Sequence, residues 1–376
     1  MKMRTFGKLG IKASAFGLGC MRFPMTKDEN GRDIVDEKTA TEIIRTCIDN
    51  GVNYIDTAYV YSNGLNEKYV GKALRDGYRE KVYLATKLPT WNCGTREDMY
   101  RLFEEQCQSL ETDHIDFYLI HSLNSGSFEK MKNLGVFSFL DDLKAKGRIK
   151  YACFSFHDEY KVFEEIINSY DWDMCQLQFN YMDIDNQAGL RGVELAGSKG
   201  IPVVVMEGLL GGKLANVPDE IKEVFDSYGE KRSAAEWAFR WICDYPQVAT
   251  VLSGVTSLEQ ASDNFRIFDN VEPCSMSEEE RAVIDKAREK YRQRIKVDCT
   301  GCEYCLPCPK NVDIPRIFSI WNDSSMFGTK GNWRYKKLTE DGKGPENCVK
   351  CGKCMKVCPQ HLKIPDLLGI AGKELQ

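Results

Sequence analysis

Apolar and polar positions along the chain alternate between two periods. Asp36 can cap a helix-period segment that puts Ala40, Ile43, Ile44, Cys47 and Ile48 on one face, at offsets i, i+3, i+4, i+7 and i+8. Gly51 stops it, and a short β-favouring run over 52–55 follows. The succession repeats, with strands predicted at 15–20, 52–55, 82–85, 115–120, 151–154, 174–178, 201–206 and 249–252. Between them lie helices at 66–74, 139–146, 188–198 and 233–243, and another around Val162, Phe163, Ile166 and Ile167. A capping-box signal at Thr95 and Asp98 opens one more, with Met99, Leu102, Phe103 and Gln106 on one face. The unbroken apolar run 201–206 is that of a parallel strand buried on both faces. Eight strands alternating with helices predict an α/β fold, a closed (β/α)8 TIM barrel of the usual size of about 250 residues. An open doubly wound sheet is the other candidate, but no G-x-G-x-x-G turn opens its first helix.

After the last strand, Ser277 and Glu280 signal a helix carrying Val283, Ile284, Ala287 and Tyr291, expected to pack on the barrel. The chain then divides into a barrel over 1–275, a connecting helix over 276–296 and a small, mainly helical domain over 297–376. The 16 cysteines are spread unevenly across these parts. Cys20, Cys47, Cys93, Cys107, Cys153, Cys175, Cys243 and Cys274 stand singly and read as small core hydrophobes in a reducing interior. The other eight fall at ligand spacing, and the stretch 327–345 between them, rich in Gly, Lys, Asn and Trp, reads as a surface loop.

Their pattern is Cys299-x2-Cys302-x2-Cys305-x2-Cys308-Pro309 and Cys348-x2-Cys351-x2-Cys354-x3-Cys358-Pro359. It follows the bacterial ferredoxin run, the first set departing by one residue before its last cysteine. Eight thiolates suit two [4Fe–4S] clusters. Zinc also suits paired C-x2-C spacings, but seldom four cysteines at successive short spacing followed by proline. The segments form an internal repeat: Cys308-Pro309-Lys310-Asn311-Val312-Asp313-Ile314-Pro315 parallels Cys358-Pro359-Gln360-His361-Leu362-Lys363-Ile364-Pro365. The duplication resembles dicluster ferredoxin domains. By that resemblance Cys299, Cys302 and Cys305 share a cluster with Cys358, and Cys348, Cys351 and Cys354 share one with Cys308.

The net charge of -5 offers no basic excess to neutralise phosphates, which argues against non-specific nucleic-acid or anionic-membrane binding. No apolar run approaches the ~20 residues of a bilayer crossing, and the first residues lack an apolar signal core, so a cytoplasmic protein is expected.

Four polar side chains fall at or just past strand carboxyl ends: Asp56, Tyr61, Lys87 and His121. A parallel barrel gathers such positions around one mouth. Alone, Asp56 and Tyr61 read as a capping carboxylate and a half-buried aromatic; the later strand ends change that. A hydride arriving at a carbonyl carbon leaves charge on oxygen, which must then be protonated. A tyrosine with a pKa near ~10 is a poor acid at neutral pH, and a neighbouring ammonium lowers that pKa. Lys87 is therefore expected to tune Tyr61, Asp56 to hold Lys87, and His121 to orient the substrate oxygen.

Through residues 53–61, Ala85-Thr86-Lys87-Leu88 and Asp116-Phe117-Tyr118-Leu119-Ile120-His121-Ser122, the chain resembles the aldo-keto reductase superfamily. The resemblance implies an NAD(P)H-dependent oxidoreductase that transfers a hydride to an aldehyde or ketone, or runs the reverse on alcohols, with Tyr61 as proton donor. It places Ser155 and Gln176 at the nicotinamide carboxamide; Phe156 stands where an asparagine is usual. Met206 takes the position that stacks on the ring, and Gly208 and Leu209 the loop over the pyrophosphate. Ser253, Gly254, Thr256, Gln260 and Asn264 take the adenosine site. The basic residues that clamp a 2′-phosphate are missing at Gly254 and Gln260, so NADPH and NADH both stand as cofactors. Trp91 is a candidate wall of the substrate pocket. Expected partners are a small carbonyl or alcohol substrate and a redox partner protein if the tail exchanges electrons; sensing redox state and stabilising the fold stand as its other roles. The competing reading is an electron-transfer protein in which the barrel is only a docking scaffold.

Overall fold

The predicted apolar runs become the strands of one closed barrel in the computed structural model, which describes residues 1–329 and 332–376. The strands are β1 (Phe16–Gly19), β2 (Tyr54–Asp56), β3 (Tyr83–Leu88), β4 (Ile115–Leu123), β5 (Ile149–Phe156), β6 (Met174–Gln178), β7 (Val203–Met206) and β8 (Val248–Ser253). All eight pair in parallel with their sequence neighbours, and β8 closes on β1 through Val251↔Phe16 and Ser253↔Leu18. The expected caps are present. Asp36 accepts from the Thr39 N–H at the start of helix Glu37–Asp49, and Thr95 and Asp98 form a capping box on Arg96–Ser109.

One element had no sequence signal, and one cysteine is placed differently from expectation. A hairpin, Met3–Thr5 with Lys12–Ser14, precedes the barrel; its strands are too short to show a period. It delivers Phe6, wholly buried, against Tyr54 and Phe117 near the amino ends of β2 and β4. That end is filled with aromatic core, which leaves the carboxyl ends for chemistry. Cys274 is exposed, not core: it sits in a left-handed turn (φ 54°) that points it outward, whereas the other seven scattered thiols are buried.

The chain forms two compact units, Met1–Gly211 with Ala235–Ser277, and Gly212–Ala234 with Glu278–Gln376. The second is helical. Its core joins Ile317, Phe318, Ile320 and Trp321 of helix Ile314–Phe327 to Leu368 and Ala371 of helix Ile364–Glu374, with Cys299, Cys305, Cys308, Cys348, Cys354 and Cys358 packed on it. Helix Asp219–Asp226 belongs to this unit, tied by Glu220 to Arg294 (3.3 Å). Lys213 likewise reaches Asp323 (2.8 Å) and the face of Phe327. Within the stretch expected to be a loop, Asn332 caps helix Trp333–Glu340, which buries Tyr335 and Leu338. One apolar pair three residues apart is too little pattern to announce a helix. Lys330 and Gly331 of that stretch lie outside the described residues. Among the described residues no helix is long and apolar enough to cross a membrane.

Candidate active site and cysteine-lined hollows

β2 ends on Asp56, and β3 carries Lys87 beside it through the parallel register Asp56↔Ala85. Both side chains are buried. Lys87 Nζ donates to Asp56 Oδ1 (2.7 Å), Asp56 Oδ2 (2.8 Å) and the Thr57 carbonyl (2.8 Å), and hydrogen-bonds the Tyr61 side chain as well. Burial lifts the Asp56 carboxyl above the usual carboxylate range against the pull of Lys87. Burial alone would lower Lys87, but Asp56 and Tyr61 outweigh it and the ammonium is held protonated.

Tyr61 is half-buried on the loop after β2, with Lys87 Nζ 5.2 Å from its ring centroid. Burial pushes the phenol up; Lys87 pulls the other way and Asp56 adds to the rise. The expectation that Lys87 leaves Tyr61 with a lowered pKa is therefore corrected. Asp56 neutralises the ammonium at hydrogen-bond distance, so its field at the phenol does not overcome desolvation. The loop is held in shape by buried Asn66, which accepts from Thr57 Oγ1 (2.7 Å) and donates to the Cys20 carbonyl (2.8 Å) and Ser62 Oγ (3.1 Å). Ser62 and Asn63 are both left-handed (φ 49° and 55°), a strained pair that this pinning sustains.

His121 lies near the end of β4, its ring 6.4 Å from Tyr61 and 5.1 Å from the half-exposed Trp91. The β4–β5 register shifts between Ile120 and Leu123, and Ser122 takes φ 53°; such a bulge re-aims the side chain beside it. Burial, with Lys87 adding, lowers the His121 pKa to about 3, so the imidazole is neutral at physiological pH. Its Nδ1 is buried with no hydrogen-bond partner.

Around the same strand ends, Ser155 pairs in register with Gln176, and its Oγ accepts from the Ser122 N–H (2.8 Å). Gln176 Nε2 points at Met206 Sδ (3.5 Å), while its Oε1 is buried without a partner. An orphaned acceptor of this kind fits an amide donor such as a carboxamide. Gly208 is buried, and a Cβ there would meet Ile242 Cδ1 at 2.8 Å; Leu209 follows it. Gly254 sits so that a Cβ would lie 3.4 Å from the Gly19 carbonyl. Asn264 donates to Ser253 Oγ (3.0 Å), and Gln260 Oε1 accepts from the Thr256 N–H (2.9 Å).

Sequence reasoning missed a buried polar network behind Lys87. Glu67 accepts from Thr86 Oγ1 (2.6 Å) and Gln106 Nε2 (2.7 Å); Gln106 also donates to the Lys87 carbonyl (3.0 Å) and accepts from Tyr118 OH (2.8 Å). Burial raises the Glu67 pKa to about 7, against the hydrogen bonds from Thr86 and Gln106. The available signal was Gln106 itself, a polar residue on a helix's apolar face.

In the second unit the cysteines line two hollows. One, of about 190 Å3, is bounded by Cys305, Cys308, Cys348, Cys351 and Cys354. The other, smaller, is bounded by Cys299, Cys302, Cys305 and Cys358. Among the described residues no three His, Cys, Asp or Glu side chains gather closely enough to hold a single metal ion. A donor set made only of thiols, spaced around a hollow, fits a polynuclear iron–sulfur cluster.

A parallel eight-stranded barrel with a buried carboxylate–ammonium pair and a tyrosine at its mouth is an oxidoreductase scaffold, and residues 15–289 match the aldo/keto reductase family over most of the chain. The chain belongs to that family. Residues 298–362 match the 4Fe-4S dicluster domain, so the enzyme carries an iron–sulfur tail. Among curated proteins it is 28% identical to the methylglyoxal reductase YeaE of Escherichia coli over 269 residues, 68% of this chain and 87% of that one. It is 25% identical to the glyoxal reductase of Bacillus subtilis, covering 75% and 92%. Among solved structures, the holo form of aldo-keto reductase AKR11C1 from Bacillus halodurans aligns with a TM-score of 0.63 at 26% identity, covering 76% and 96%. A Klebsiella pneumoniae aldo/keto reductase in complex with NADP and acetate shares the fold, at 24% identity and a TM-score of 0.59, covering 76% and 94%.

Proposed function

We propose that the barrel mouth reduces an aldehyde or ketone, with Tyr61 as proton donor and a nicotinamide nucleotide as hydride source. The observation that carries this is the ammonium of Lys87, locked to Asp56 and 5.2 Å from the Tyr61 ring, in a site where His121 is uncharged. A donor must hold its proton until it is needed, and the raised phenol does. When the phenol gives that proton to the nascent alkoxide, phenolate forms beside Lys87, whose charge then favours it. Neutral His121 donates one ring N–H to the carbonyl oxygen without competing as an acid.

When bound, the nicotinamide supplies the hydride. Ser155 and the orphaned Oε1 of Gln176 would hold its carboxamide, and Met206 would lie against the ring. Gly208 and Leu209 would face the pyrophosphate, with Ser253, Gly254, Thr256, Gln260 and Asn264 around the adenosine. With Gly254 and Gln260 in place of basic side chains, NADH is used as well as NADPH. The relatives named for methylglyoxal and glyoxal make small 2-oxoaldehydes the first compounds to screen.

The functional parts are the barrel over 1–275, the connecting helix over 276–296 and the ferredoxin-like domain over 297–376. In that domain Cys299, Cys302, Cys305 and Cys358 would ligate one [4Fe–4S] cluster, and Cys308, Cys348, Cys351 and Cys354 the other. The grouping of these cysteines around two hollows supports this assignment. Each cluster takes one electron while nicotinamide carries two, so the tail serves one-electron exchange with a partner protein.

Replacing Tyr61 by Phe removes one oxygen and leaves the ring. Carbonyl-dependent oxidation of NAD(P)H should fall by roughly 10²–10⁴-fold with nucleotide binding retained. Unchanged turnover would remove Tyr61 as the proton donor, and a wild type with no carbonyl-dependent oxidation would discard the reductase reading in favour of the scaffold reading.

A further inference from the structure

The chain is acidic overall (net -5), yet residues 348–363 contain Lys350, Lys353, Lys356 and Lys363 and no Asp or Glu. All four lysines are exposed, and among the described residues they form no ion pair. Three lysines elsewhere in this unit are paired, Lys296 with Glu374, Lys213 with Asp323 and Lys336 with Glu340. What marks the 348–363 run is its density of lysine and its want of any carboxylate. Lys353 lines the larger hollow with Lys310, Cys308, Cys348, Cys351 and Cys354, and Lys350 and Lys356 stand next in sequence to its lining residues Val349, Cys351 and Val357. Its apolar rim is open to solvent: Tyr304 is 68% exposed, Val349 58% and Val357 49%. Cys351 itself reaches the surface. The smaller hollow differs, its lining including Glu303, Thr300 and Gln360 and no lysine, with Lys363 next in sequence to its Leu362 and Ile364.

We propose that the hollow around Cys308, Cys348, Cys351 and Cys354, lined by Lys310 and Lys353 and flanked in sequence by Lys350 and Lys356, is the docking surface for an acidic one-electron carrier protein. The inference rests on the iron–sulfur reading of these cysteines. Unpaired lysines beside an exposed apolar centre match the polar rim and apolar core of an interface. They would steer a partner of opposite charge, and the carboxylate at the other hollow would turn it away. Electron-transfer encounters bury little surface, below about 1,200 Å2, so charge rather than area sets their rate and affinity. The step is a single electron passing from the reduced carrier to an oxidised [4Fe–4S]2+ cluster, giving [4Fe–4S]1+. No bond breaks and no proton moves. The exposed Cys351 puts a sulfur ligand at the contact.

The test uses the full chain, purified without oxygen, and an acidic flavodoxin as the carrier. Binding of oxidised flavodoxin is followed by calorimetry, and electron transfer from its hydroquinone by stopped-flow appearance of the semiquinone. The variants are Lys350→Glu/Lys356→Glu and the milder Lys350→Gln/Lys356→Gln. Iron and sulfide content and the cluster EPR signal are recorded for every protein. The expected result is a rate lowered about tenfold or more by charge reversal and less by neutralisation, with weaker binding. Raising ionic strength from about 0.01 M to about 0.5 M should slow the wild type and level the three proteins. Intact clusters with a rate and affinity indifferent to both variants and to salt would overturn the docking surface alone. A wild type without iron or sulfide would overturn the cluster reading beneath it.

Discussion

The Asp56 carboxylate grips the Lys87 ammonium with both oxygens, at 2.7 and 2.8 Å, inside a barrel mouth where neither side chain reaches solvent. The ammonium also donates to the Thr57 carbonyl at 2.8 Å. Lys87 acts on Tyr61 through its charge and a side-chain hydrogen bond, from a position that Asp56 and Thr57 hold fixed.

Breaking this pair should be costlier than deleting it. Lys87→Met leaves a buried carboxylate uncompensated, with an expected loss of about 3–5 kcal/mol in denaturant unfolding. Adding Asp56→Asn to that variant should recover most of the stability and none of the activity. If the double variant is as unstable as the single one, the pair is not the source of the loss.

His121 should not titrate in the activity profile. With a pKa of about 3 in the fold against about 6.5 unfolded, it stays neutral while the unfolded chain takes up a proton. Its contribution to stability is whole above pH ~6.5 and fades as pH falls toward 3. His121→Asn should flatten that acid limb, and the log kcat/KM profile of the wild type should show no inflection assignable to this ring.

Glu67 has the opposite sign. Its pKa of about 7 exceeds the unfolded value of about 4.5, so the native state holds an extra proton between them and stability declines as pH rises through that window. Glu67→Gln keeps the contacts with Thr86 and Gln106 through the amide oxygen and fixes the neutral form. Unfolding midpoints measured from pH 5 to 8 should decline less for the variant than for the wild type. Equal slopes would remove Glu67 as the titrating group.

Nucleotide affinity should depend on the orphaned oxygen of Gln176. Gln176→Leu, similar in size, is expected to weaken binding by about tenfold, the scale of one lost hydrogen bond. Gln260→Arg should strengthen NADPH over NADH. Fluorescence titration with each nucleotide reads both effects.

Iron analysis separates the two clusters. The wild type should bind about eight irons, and Cys358→Ala and Cys308→Ala about four each. The cubane that remains should differ between the two variants in EPR. A single variant that empties both sites would show that assembly is interdependent and the assignment of ligands untenable.

Much of this was legible in the sequence because barrel strands are continuous apolar runs with polar residues at their ends. Asp56, Lys87 and His121 are each the polar stop to such a run. The cysteine spacing was equally plain. What escaped was set by tertiary context. The bulge at Ser122 arises from β4–β5 pairing, and the hairpin before β1 has strands of three residues. The sign of the Tyr61 shift was misjudged because spacing reveals neighbours but not how much water is excluded. Glu67 and Asn66 looked like an ordinary helix start, and only the fold shows what they hold.

The segment Gly212–Ala234 leaves the barrel's sequence and joins the helical unit some forty residues before the barrel's own chain ends at Ser277. The tail is thus stitched in at two places rather than hung on at one. Trimming everything after residue 297 would strip Lys213 of Asp323 and Phe327, and Arg294 of the Ser325 carbonyl. A clean separation of reductase from iron–sulfur module would need three cuts, after Gly211, Ala234 and Ser277, and a new splice just after the Gly208 loop.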